Sequence, residues 1–307
     1  MSQILPPRLR PGDVVAVPVP AGPVQPGRLE AGLARLRARY RVQVDDGALA
    51  ATGYLAGDDD RRAAELDGYL RDPDVRAIVC ARGGYGAMRI LDRLDPAVLR
   101  ADPKILVGFS DATALLGWAR AAGVRAIHGP MAAQLGELGG ADVDWLFRMM
   151  ESPEPAGELP AGLTTAGAPG HGSVEGTLLG GNLSLLAHLV ATPAEMDLDG
   201  AILFTEDIGE RPYAIDRYFT RIGMAGRLHG VAAALIGDFV GCEEPRLPPP
   251  QPSALDVASE RLAHHGIPAL AGLPIGHGAR NLALPLGALA RVDLDAGRAR
   301  LLEAAVS

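Results

Sequence analysis

Residues Lys104 to Leu116 read K-I-L-V-G-F-S-D-A-T-A-L-L. An apolar run of strand length, Ile105 to Phe109, passes directly into a helical pattern from Ala112 to Ala122, and Ser110 stands at the junction. A turn of this kind lifts a side chain above the sheet edge. It also leaves the first N–H groups of the following helix unpaired and partly positive, which suits a developing oxyanion. Gly108 and Ala112, two residues either side of Ser110, are small enough for strand and helix to cross closely, as in a G-x-S-x-G elbow with alanine in the last place. Read alone, the segment fits equally common chemistry of another kind, a serine N-cap with Asp111 in the first helical turn.

Short apolar runs alternate with helical patterns throughout the first half. Strands are expected at Asp13–Val19, Arg41–Val44, Val75–Ala81 and Ile105–Phe109, with helices at Gly27–Tyr40, Asp58–Arg71, Ala87–Leu94 and Ala112–Ala122. Repeated β-α units predict a parallel sheet covered on both faces, with functional loops at the carboxyl ends of its strands. Residues 152–176 are rich in Pro and Gly and lack periodicity, so they are expected to link a domain at 1–151 to one at 177–307. The second half predicts a Gly-Gly turn into a helix at Gly180–Val190, strands at Ala201–Thr205 and near Val231–Phe239, and a Pro-rich loop at Pro245–Pro252. A helix at Ala254–His265 and a terminal hairpin complete a smaller mixed α/β domain with barrel-like strand pairing.

Composition bounds the function. A chain of 307 residues with 48% hydrophobic and 21% charged residues can bury ample cores. A net charge of -8, with basic residues dispersed and Lys104 the single lysine, argues against nucleic acid as a partner. Cys80 and Cys242 stand in unrelated contexts, so neither a disulfide framework nor a thiolate metal site is expected, and no cofactor is indicated. The apolar run Val14–Val19 is interrupted by Pro18 and is too short for a membrane span, so a cytoplasmic protein without membrane attachment is expected.

A serine nucleophile requires an imidazole. Of seven histidines, His277 in G-L-P-I-G-H-G-A-R-N ranks first, because glycine on either side leaves room for an approaching group; His128, ending A-I-H, ranks second. The acid that would orient the imidazole is expected at the strand end A-I-L-F-T-E-D, where spacing leaves Glu206 and Asp207 both open. The glycine-rich loop C-A-R-G-G-Y-G-A-M-R fails the dinucleotide fingerprint at Arg89 and can instead aim an N–H group beside Ser110.

Six ordered motifs resemble the LD-carboxypeptidase (muramoyltetrapeptide carboxypeptidase, peptidase S66) family. They are R-G-G-Y-G at Arg82–Gly86, V-G-F-S-D-A-T-A-L at Val107–Leu115, H-G-P-M at His128–Met131, G-G-N-L-S-L-L at Gly180–Leu186, L-F-T-E-D-I-G-E-R-P-Y at Leu203–Tyr213 and G-H-G-A-R-N-L-A-L-P-L-G at Gly276–Gly287. The resemblance implies a flavodoxin-like N-terminal domain with a distinct C-terminal domain, and a triad of Ser110, Glu206 and His277. It further implies oxyanion donors at the N–H groups of Gly84 and Asp111, a homodimer, and release of terminal D-alanine from murein tetrapeptide in the cytoplasm. Arg82, Gly83 and Tyr85 are the expected substrate-binding residues. One departure stands out: the first strand is followed by V-P-V-P-A-G-P, with Ala21 where relatives commonly carry serine. A microcin-immunity branch of the family and a noncatalytic murein-peptide binder are the competing expectations.

Overall fold

The computed structural model describes residues 3–307 except 161, 247 and 249. Ala161 in the expected linker, and Leu247 and Pro249 in the expected Pro-rich loop, thus lie outside the described residues. The chain divides into two compact units. One runs to Pro153 and is completed by Leu282–Leu286 and Ala304–Ser307; the other comprises Glu154–Asn281 and Gly287–Glu303.

In chain order the strands are β1 (Val14–Ala16), β2 (Arg41–Gln43), β3 (Val75–Val79), β4 (Ile105–Gly108), β5 (Ala126–His128), β6 (Gly157–Glu158) and β7 (Thr164–Gly167). They continue with β8 (Ser173–Asn182), β9 (Ala201–Ile208), β10 (Ala233–Val240), β11 (Pro268–Ala271), β12 (Leu284–Leu286), β13 (Leu289–Asp293) and β14 (Arg298–Leu301). The first unit holds a six-stranded sheet in the order β12-β5-β4-β3-β1-β2. Its five N-terminal strands are parallel in the flavodoxin-like order 2-1-3-4-5, and β12 adds an antiparallel edge against β5. β3 and β4 are buried almost throughout, as expected of strands covered on both faces.

The helix Asp59–Arg71 anchors the loop after β1. Asp58 caps it by accepting from Arg61 N–H. Arg62, fully buried, donates to the carbonyls of Pro20 and Gly86 and pairs with Asp59. Glu65 accepts from the N–H of Val19 at 3.0 Å and meets Arg61 at 3.2 Å. Burial raises the Glu65 pKa from its ordinary 4.5 to about 7. Through that interval the folded chain keeps a proton that the unfolded chain has released, so this group lowers stability as pH rises from about 4.5 to about 7. Thermal melts should therefore show Glu65→Gln gaining on wild type between pH 5 and pH 8; an unchanged difference in melting temperature would contradict the linkage.

The second unit holds an eight-stranded sheet in the order β6-β14-β13-β8-β9-β10-β11-β7. β8, β9, β10 and β11 run parallel at its centre, flanked by antiparallel strands. The expected barrel-like pairing is thus realised as an open mixed sheet. Residues 152–176, expected as a linker, contribute β6, β7 and the start of β8. Gly180 and Gly181, expected as a turn, lie inside β8. At Gly180, φ is +152° and an added Cβ would come within 2.7 Å of the Phe204 carbonyl carbon, so only glycine lets β8 approach β9 this closely.

Candidate active site

Three loops meet at the carboxyl ends of the parallel strands of the first unit, those after β1, β3 and β4. Ser110 opens a short 3-10 turn, Ser110–Ala112, that leads into the helix Thr113–Ala121. It is half-buried, with φ 58°, in the left-handed region. Among the described residues only Ala191 shares a positive φ without being glycine. An L-residue held there stores strain, which a simple helix cap does not require. Neither turn nor helix shows a side-chain cap, so the N-cap alternative for Ser110 is replaced by a strained elbow.

The glycine-rich loop lies directly against this elbow. A Cβ on Gly83 would stand 3.0 Å from Ser110 Oγ and 3.3 Å from the Asp111 nitrogen. Gly84, at φ +106°, backs onto Gly22, whose N–H donates to the Gly83 carbonyl at 2.9 Å. Ala21, the departure noted in the sequence, contributes its carbonyl to the N–H of Ala56 at 2.9 Å, a contact independent of its side chain. The Asp111 side chain is buried and accepts from Ala87 N–H at 2.7 Å, tying the Ser110 turn to the loop that follows β3. Burial raises its pKa to about 6. Arg82 is exposed and donates to Pro23 O at 2.6 Å, and it borders a cavity of about 360 Å³ with Val24, Gln25 and Arg28. Tyr85, 51% exposed, meets Tyr54 edge to face at 5.7 Å. His128, second among the histidines, is fully buried at the end of β5 with its ring against Phe109.

The second unit gathers its polar residues in the same way, at the carboxyl ends of β8, β9 and β10 and in the loop after β11. Glu206 is fully buried, and its Oε2 lies 2.7 Å from His277 Nδ1. Gly276 makes that approach possible. At φ +102° it is open to glycine, and a Cβ there would fall 2.8 Å from Glu206 Cγ. Its N–H donates to Asn281 Oδ1 at 2.9 Å, which fixes the loop.

Asp207 points into a different network. It accepts from Asn182 Nδ2 at 2.9 Å, Ser184 N–H at 2.8 Å and Ile208 N–H at 2.9 Å, and so holds the start of the helix Leu183–Leu189. Burial, reinforced by the charge of Glu206, raises its pKa to about 6. Spacing alone left the two carboxylates open; geometry gives the imidazole to Glu206 and the helix start to Asp207. Sequence reasoning missed Arg62, the Asp111 side chain and Asn182 as supports. A buried arginine in an otherwise polar helix carries no local signal, whereas Asn182 before an apolar run was readable as a cap.

The arrangement offers a strained hydroxyl beside clustered backbone N–H groups in one unit and an imidazole oriented by a buried carboxylate in the other. Among the described residues there is no cluster of three or more metal-binding side chains, and no helix is long and apolar enough to cross a membrane.

Comparison with known proteins agrees with the motifs. Residues 15–129 match the model of the LD-carboxypeptidase N-terminal domain and residues 175–292 that of the LD-carboxypeptidase C-terminal domain. A Bacillus subtilis protein named as a probable murein peptide carboxypeptidase is 36% identical, over 98% of this chain and 95% of its own. The murein tetrapeptide carboxypeptidase of Pseudomonas aeruginosa is 33% identical, over 91% of this chain and 92% of its own. Among solved structures, MccF in complex with glutamyl sulfamoyl guanosine superposes with a TM-score of 0.88 over 99% of both chains, at 23% identity. With both domain models matched in order and full-length relatives above 30% identity, the chain belongs to the LD-carboxypeptidase family of peptidases.

Proposed function

We propose that this protein is a serine LD-carboxypeptidase that releases terminal D-alanine from murein tetrapeptide, with Ser110 as nucleophile, His277 as general base and Glu206 as the orienting acid. The observation that carries the reading is the left-handed backbone of Ser110 with Gly83 packed on its hydroxyl. Strain of about 1–3 kcal/mol is retained where it serves to present a group. The P. aeruginosa and B. subtilis relatives supply the substrate class.

The chemistry follows from the groups. His277 Nδ1 is engaged by Glu206, so its Nε2 is the nitrogen that takes the proton from Ser110 Oγ as the oxygen attacks the carbonyl preceding D-alanine. The N–H groups of Gly84 and Asp111 receive the oxyanion. The imidazolium then protonates the departing amine, and a water activated by the same imidazole hydrolyses the acyl-enzyme. Arg82 and the N–H groups of the Gly83–Gly86 loop are the proposed receivers of the free carboxylate of the leaving residue. The enzyme of this reading is a homodimer acting on recycled murein peptides in the cytoplasm.

Incubation with murein tri-, tetra- and pentapeptides, with products identified by mass, should show loss of one alanine from the tetrapeptide alone. The tetrapeptide C-terminal amide should be cleaved roughly 10- to 100-fold less efficiently than the acid, because donors built for a carboxylate are left poorly paired. Equal cleavage of acid and amide would make the enzyme an amidase or endopeptidase instead. The sequence likeness to the microcin C7 self-immunity protein MccF, 26% identical over 79% of this chain, favours a second reading, hydrolysis of an aminoacyl-nucleotide-like amide by the same triad. The segment Glu243–Ser253 contains no aromatic residue with which to stack a base, which ranks that reading below the first.

A further inference from the structure

The carboxylate of Asp238 has no role in the chemistry above. β10 slips out of register with β9 between Ile236 and Phe239, so Gly237 and Asp238 form a bulge, a device that bends a strand and re-aims a side chain. Packing fixes the new direction. A Cβ on Gly237 would come within 3.1 Å of Ile275 Cδ1, and the Asp238 N–H donates to the Ile275 carbonyl at 3.3 Å. The Asp238 carboxylate then abuts Gly278, the residue after His277; a Cβ on Gly278 would stand 3.0 Å from Asp238 Cγ.

This carboxylate is half-buried, and burial and the nearby charge of Glu206 both raise its pKa. Among the described residues no hydrogen-bond donor or cation meets it, whereas Asp207 nearby has three donors. The neighbouring charge of Glu206 disfavours the charged form of Asp238, and a positive group entering from outside would relieve the site. Too few ligating side chains converge for a metal ion among the described residues. A substrate ammonium on a flexible stem needs only one such acceptor.

We propose that Asp238 is a specificity-determining residue that accepts the side-chain ammonium of the substrate residue donating the scissile carbonyl. The inference rests on the carboxypeptidase reading, in which His277 serves that carbonyl. On that reading the side chain leaving the adjacent α-carbon would run along the loop that carries His277, where Asp238 stands beside Gly278.

The test uses tetrapeptides identical except at the third residue, L-lysine, norleucine or Nε-acetyl-lysine, with kcat/KM measured for wild type, Asp238→Asn and Asp238→Arg. Wild type should prefer lysine over both neutral side chains by roughly 10- to 100-fold, the range of a charge-assisted hydrogen bond. The preference should fall toward unity in Asp238→Asn and invert in Asp238→Arg. A wild-type ratio near one overturns the inference without any variant, and so does an Asp238→Asn enzyme that keeps the full preference. Cleavage of all three peptides at one rate leaves the carboxypeptidase reading standing, whereas cleavage of none overturns both.

Discussion

Ser110→Ala is expected to lower kcat by about 10⁴-fold or more while leaving the fold intact, because the residual rate without a nucleophile comes only from binding and oxyanion donors. Alanine at φ 58° carries the same backbone strain as serine, so melting temperature and circular dichroism should match wild type. Ser110→Gly separates the two properties further. It should be equally inactive yet more stable by about 1 kcal/mol, since glycine occupies the left-handed region without penalty. Covalent labelling by a fluorophosphonate should be present in wild type and absent from both variants. Turnover near the wild-type rate in folded Ser110→Ala would remove this serine as nucleophile, and unchanged stability in Ser110→Gly would remove the strain argument.

That strain was only half readable from the sequence. An apolar strand, a small residue on each flank and a following helix placed Ser110 at an elbow, but the same letters describe a capped helix; the sign of one backbone angle distinguishes them. The parallel core was legible for a simple reason: β3 and β4 are buried on both faces and spell continuous apolar runs. β6 and β7 were hidden because short edge strands with exposed residues carry neither alternation nor an apolar run, so Pro and Gly dominated the reading of 152–176. β12 escaped because its partner is β5, far away in sequence, and periodicity reports only local order. At Gly180 the glycines read as punctuation, although their cause is the neighbouring backbone of Phe204. Asp207 and Glu206 could not be separated by spacing, since adjacent strand residues point to opposite faces and only the burial partners decide between them.

The triad proposal also makes a strong demand on a residue with no chemistry of its own. Gly276→Ala is expected to reduce kcat by about 10²- to 10³-fold, because displacing a catalytic group by about 1 Å costs on that order. Its φ of +102° is strained for any residue with a Cβ, and the added methyl would lie 2.8 Å from Glu206 Cγ and 2.9 Å from its Cβ. Glu206 is fully buried and cannot swing into solvent, so the loop must move instead, carrying His277 off Oε2 and loosening the Gly276–Asn281 hydrogen bond. The expected signature is a fall in kcat with a smaller change in KM, together with a lower melting temperature. Glu206→Gln provides the comparison: it keeps the shape, adds no clash, and should lose activity through the missing charge while melting close to wild type. If Gly276→Ala turns over and melts like wild type, the loop can shift without cost, and the hydrogen bond between His277 and Glu206 is not what positions the base.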